Sequence, residues 1–146
     1  GFRVNASNKQ HLPLEEILSY AKDIAGEDHH FKIVQAPYNS RLQQAAKEPS
    51  QPVRGRRMPL LHAAHQLGLS VMTSATLNQG NLCKNLDPDV RKVSADLGEQ
   101  RTDAQAAAQF VRTTPGIVTS LIGMRQVMHV EENAVLIRHP SNPRTS

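Results

Sequence analysis

The chain has 146 residues, about one domain, and 38% of them are apolar, enough for a modest core. With no Trp and 3% aromatic residues, that core must be built from Leu, Ile, Val and Ala, and few rings remain to stack on nucleic-acid bases. The formal charge of +4 comes from cations that are scattered apart from Arg54, Arg56 and Arg57, and no run approaches the roughly 20 apolar residues of a membrane span, so neither nucleic acid nor a membrane is an expected partner.

A single cysteine, Cys83, excludes an internal disulfide, and the opening GFRVNASNKQ lacks the apolar run of a secretory signal. A cytoplasmic protein is the default expectation. The first predicted helix follows Pro13, with Leu14, Ile17, Leu18, Ala21 and Ile24 on one face and Gly26 as its stop. Phe31 to Ala36 then reads as a strand ended by Pro37. Tyr38 to Arg57 reads as polar loop, with a helical turn at Arg41 to Lys47. The Arg54 to Arg57 cluster is expected to be a solvated loop or to contact another part of a larger fold.

Pro59 opens a second helix that turns Leu60, Leu61, Ala64 and Leu67 inward and closes at Gly68. Leu69 to Ser74 is the second predicted strand. Thr76 to Gln100 reads as a long irregular connection, the kind that is usually functional or mobile. Thr102 with Gln105 has the spacing of a capping box and opens a third helix, with Ala104, Ala107, Ala108 and Val111 inward. Ile117 to Ile122 is the third strand. The last helix is expected from Gln126 to Ile137, with Val127, Val130, Ala134 and Ile137 on one face, before a flexible tail at 138–146.

Helices and strands alternate, which implies an α/β fold with parallel strands. Three strands cannot close a barrel and leave two open edges, so the pattern resembles a piece of something larger.

Three segments carry a resemblance: GEDHHFKIVQAPYN (Gly26 to Asn39), GLSVMTSATLNQG (Gly68 to Gly80) and TPGIVTSLIGMRQVMHVEEN (Thr114 to Asn133). In order and spacing they resemble strands six, seven and eight of bacterial aldo/keto reductases, with the likeness running from about Leu12 to Ile137. The resemblance implies that residues 1–146 form the C-terminal part of one (β/α)8 TIM-barrel domain, with a fifth strand ahead of Gly1 and a site in the loops after the strands.

It also implies an NADP(H) site. Gln35 matches the residue that binds the nicotinamide carboxamide. Ser74 stands where an aromatic ring usually stacks under the nicotinamide, a departure that removes the stacking. Thr76, Leu77, Gln79 and Gly80 match the loop around the pyrophosphate, which needs close-approaching backbone amides. Gly123, Met124, Arg125, His129, Glu132 and Asn133 match the adenosine and 2′-phosphate contacts, with Arg125 as the phosphate's planar cation. His129 stands where relatives often carry Arg.

The family's Tyr, Lys, Asp and His catalytic groups belong to the first half of the barrel. Neither Tyr20 nor Tyr38 matches the catalytic tyrosine, so no catalytic residue is assigned. The expected function is thus the NADP(H)-binding half of an enzyme that reduces aldehydes or ketones. The alternative is a non-catalytic half-barrel module, cofactor-binding or structural, that can self-associate. Expected partners are NADPH and a carbonyl substrate in the intact protein, with a homo-oligomer or pairing with an N-terminal half as the assembly. His29 and His30 diverge as neighbours, and His62 and His65 lack a third ligand, so no metal site is expected. Cys83 is expected to be an inert thiol.

Overall fold

The computed structural model describes residues 1–4, 7–93 and 101–139. The end of the irregular connection, 94–100, and the tail from 140 onward therefore lie outside the described residues. Helix α1 spans Leu14–Ala25, strand β1 Ile33–Pro37, α2 Gln44–Lys47, β2 Gln51–Val53 and β3 Arg56–Met58. Then come α3 Leu60–Gln66, β4 Ser70–Ser74, α4 Pro88–Val93, α5 Asp103–Arg112, β5 Ile117–Ser120 and α6 Val127–Ala134. No helix among these residues is long and apolar enough to cross a membrane.

The architecture is α/β. Strands β1, β4 and β5 form one parallel sheet in that order, so spatial neighbours follow chain order. Ile33 pairs with Ser70 and Pro37 with Ser74, while Val71 pairs with Ile117 and Thr73 with Ser120 across a bulge. Pairing in register puts Val34, Ala36, Val71 and Ile117 on one buried face. Leu14 and Leu18 of α1, Leu60, Leu61, Ala63 and Ala64 of α3, and Val111 of α5 pack in the same core as that face. Gly116 lets α3 come close: a Cβ there would sit 3.3 Å from that of Leu61, and its φ of 88° suits glycine.

The opposite face is open. Ile33 is 51% exposed, Val118 is 61% exposed, and Gln35, on the same strand as Ile33, is exposed too. Parallel sheets are ordinarily covered on both faces, so a sheet covered on one side only has an unmet packing requirement.

Several expectations need correction. The segment expected as loop up to Arg57 contains an antiparallel hairpin, β2 with β3, turning at Arg54 and Gly55, both with positive φ. The connection after β4 holds a 3-10 turn at Asn81–Cys83 and helix α4. Ile24, expected inward, is 87% exposed, because the buried stripe of α1 ends at Leu18. The last helix is shorter than expected, buries none of its residues, and leaves Val127, Val130 and Ala134 in solvent. The buried residue nearby is Leu136, in the 3-10 turn Val135–Arg138 that follows.

Candidate functional site

A cleft of about 580 Å³ opens beyond the C-terminal ends of β4 and β5. One wall is the loop after β4, with Thr76, Leu77, Gln79 and Gly80. The facing wall is the start of α5, at Thr102 and Ala104, together with His129, Glu132 and Asn133 of α6. Leu121, Ile122 and Gly123 join the two sides.

The loop after β4 is strained and tightly tied. Among the described residues four non-glycines have positive φ, and three of them lie here: Ala75 at 57°, Asn78 at 47° and Gln79 at 55°. Gly80 continues the left-handed stretch at 84°. Such conformations cost about 1–2 kcal/mol at a residue with a Cβ, and they persist only where neighbours fix them. Here the ties are explicit. Thr76, almost fully buried, donates its hydroxyl to the Leu121 carbonyl at 3.0 Å, joining the β4 and β5 loops. Asn78 N–H donates to Ala75 O at 2.9 Å, and Gly80 N–H to Leu77 O at 3.0 Å. Leu77 packs on Leu82, Leu86, Val90, Ala106 and Ala107, a second small core under the connection.

The α6 wall is shaped by helical spacing. His129, Glu132 and Asn133 are three and four residues apart and so share a face. The Glu132 carboxylate accepts the Thr102 hydroxyl, and the Glu132 carbonyl accepts from Gln105 Nε2 at 2.7 Å. Thr102 and Gln105 also form the expected capping box: Gln105 N–H donates to Thr102 Oγ1 at 3.2 Å, and Thr102 N–H to Gln105 Oε1 at 3.1 Å. The cleft lining therefore carries one carboxylate and no Lys or Arg. Cys83 also lines it, and burial, then the Glu132 and Asp103 carboxylates, push its thiol above the ordinary value against the opposing effect of Lys84. A protonated, half-buried thiol is a poor nucleophile.

The matched residues thus divide. Thr76, Leu77, Gln79, Gly80, Gly123, His129, Glu132 and Asn133 come together in the cleft. Gln35 lies apart, exposed on the open sheet face of β1. Ser74 ends β4 one residue short of the cleft, its carbonyl accepting from Tyr38 N–H at 3.0 Å. Met124 lines a neighbouring apolar groove with Val130 and Ile137. Arg125, expected at a helix start, precedes the N-cap Gln126; it is exposed and has no partner among the described residues.

The chain matches no known protein-family model, no curated protein and no solved structure. Thr102, Ala104 and Cys83 line it although sequence reasoning did not place them there. The capping-box spacing marked Thr102 as a helix start, but its partner Glu132 lies thirty residues on, beyond any local signal. Among the described residues no group of three metal-ligating side chains occurs, and His62 meets Gln66 Nε2 at 3.2 Å on the exposed side of α3.

Proposed function

We propose that the cleft binds a nicotinamide dinucleotide, NADP(H), and that the chain is the cofactor-binding part of an aldo/keto-reductase-like (β/α)8 barrel. The intact protein would then reduce aldehydes or ketones by hydride transfer from NADPH. One observation carries the reading. Two segments some forty residues apart, which the resemblance had separately assigned to pyrophosphate and adenosine, form the two walls of one cleft.

Three further features support it. The sheet runs in chain order with its helices on one side, as a barrel segment would, and its open face would then be the barrel interior. The cleft lies at the C-terminal ends of the strands, where barrel sites form. The strained loop leaves the Leu77 and Gln79 amides without a protein acceptor among the described residues, donors suited to a diphosphate.

In this reading Arg125, exposed beside the cleft, supplies the charge that the lining lacks and meets the 2′-phosphate. Gln35 and Ser74 face the nicotinamide end. Calorimetric titration with NADPH and NADH tests it. Micromolar NADPH binding that exceeds NADH binding, and that falls about tenfold or more in Arg125→Ala, is the expected result. Absence of binding by either dinucleotide defeats the reading for this chain.

The exposed sheet face at Ile33 and Val118 favours a second reading, a half-barrel module without turnover that covers this face by association. Light scattering separates the two: a concentration-dependent dimer without NADPH binding supports the module.

A further inference from the structure

We infer that α6 is a hinged wall of the cleft, latched onto the N-terminus of α5 by Glu132, so that a ligand enters and leaves as this helix swings. The inference rests on the cleft's being a ligand site, as proposed above; the latch itself is independent of which ligand binds.

The two walls are held by different means. The β4 loop is fixed by Thr76 on Leu121, by Asn39 Nδ2 on the Ala75 carbonyl at 2.8 Å, and by burial of Leu82 beneath it. Helix α6 has no such support. None of its residues is buried, and Val127, Met128 and Val130 are exposed. Without an apolar face in a core, a helix of eight residues is not stable on propensity alone. Its position is set by polar attachments.

Among the described residues these fall at two places. At the far end, Leu136 is buried and Arg112 Nη1 donates to the Leu136 carbonyl at 2.5 Å. One turn earlier, Glu132 takes the Thr102 hydroxyl on its carboxylate and Gln105 Nε2 on its carbonyl. At the near end, residues 123–126 are exposed and irregular, and their side chains make no hydrogen bond among the described residues. The helix is therefore anchored at Leu136, latched at Glu132 and joined at its start to the fixed Leu121 through residues 122–126, which makes the Leu136 anchor a hinge.

The latch joins groups already ordered by the capping box, so closing it immobilises little beyond Glu132 itself. No residue of α6 is buried, so opening the latch draws no α6 side chain out of a core. Glu132 is thus a positioning residue for the wall.

Hydrogen exchange on the full chain, read by mass spectrometry for wild type, Glu132→Ala and Glu132→Gln, tests the latch. Glu132→Ala is expected to speed exchange about tenfold across residues 129–134, the loss of one hydrogen bond to a charged acceptor, while β4 and the second half of α5 keep wild-type rates. Glu132→Gln keeps an acceptor oxygen and is expected to behave close to wild type. Unchanged exchange in Glu132→Ala, acceleration spread equally over the sheet, or loss of the whole fold overturns the latch. NADPH is the ligand probe. Faster NADPH release from Glu132→Ala than from wild type supports gating, and equal release rates overturn it. Failure of wild type to bind NADPH, alongside local acceleration in Glu132→Ala, leaves the latch standing and defeats the cofactor reading instead.

Discussion

Asn39 and Ala75 are joined across the C-terminal end of the sheet, Asn39 Nδ2 donating to the Ala75 carbonyl at 2.8 Å. Asn39 is almost fully buried, and its Oδ1 also accepts from the Arg41 and Leu42 amides, each at 2.9 Å. One side chain thus holds both the turn after β1 and the first left-handed residue of the cleft loop. Asn39→Ala would leave buried donors and acceptors unpaired, and a loss of about 2–3 kcal/mol is expected in urea denaturation. A loss below about 0.5 kcal/mol, the scatter of ordinary surface substitutions, would show that the loop holds itself.

Gln51 caps α1 from another element. The N-cap position is Pro13, whose side chain cannot accept a hydrogen bond. Gln51, fully buried on β2, accepts from Leu14 N–H at 2.7 Å and donates to the Phe2 and Leu12 carbonyls at 2.5 and 3.1 Å. Gln51→Leu keeps the volume and strands those groups, and about 2–4 kcal/mol of destabilisation is expected. Glu at this position would recover the bond to Leu14 but neither carbonyl contact, so it should fall short of wild type. Calorimetric melting of the three chains orders them.

Arg54 occupies the first central position of the β2–β3 turn with a φ of 49°, followed by Gly55 at 76°. Both values suit a turn that prefers Asn-Gly. Its side chain is exposed, so Arg54→Asn relieves backbone strain without disturbing packing. A gain of about 0.5–1 kcal/mol is expected by chemical denaturation. No gain would indicate that the turn is strain-free with Arg in place.

Cys83 gives a pH-dependent readout. Its thiol is pushed up in the folded chain, chiefly by burial, so folding favours the protonated form. The associated stability is complete below the unfolded thiol value of about 8.5 and is lost as pH rises through the higher folded value. Alkylation by iodoacetamide at pH 8 should accordingly run several-fold slower in the folded chain than in urea, since thiolate is the reactive form. Equal rates would contradict the buried position. A ligand seated in the cleft should slow the folded rate further.

What was legible in the sequence was what neighbouring residues encode. β1, β4 and β5 showed as apolar runs, and the Thr102–Gln105 spacing located the start of α5 with its reciprocal bonds. The β2–β3 hairpin did not show, because Gln51–Val53 and Arg56–Met58 are three residues each and carry Pro52, Arg56 and Arg57; their pairing is supported by Val53 and Met58 in the main core. The α6 segment misled in the opposite direction. Val127, Val130 and Ala134 do recur at helical spacing, but a period says which side chains share a face and not what that face meets. At the cleft, the residues after β4 and on α6 could be named from the resemblance, whereas Thr102 and Cys83 enter it through chain folding.

Phe110, partly buried and stacked on Tyr38 with ring centroids 6.1 Å apart, packs against both hydrophobic clusters. The smaller cluster carries the floor of the β4 loop, and the larger carries the sheet. This ring therefore couples the two clusters alongside α5, which carries Val111 in one and Ala106 and Ala107 in the other. Shrinking the ring to Leu should split a single thermal transition into two, with the loop and α4 lost first while the strands remain paired. In such a chain the cleft would vanish at a temperature where its scaffold is still intact.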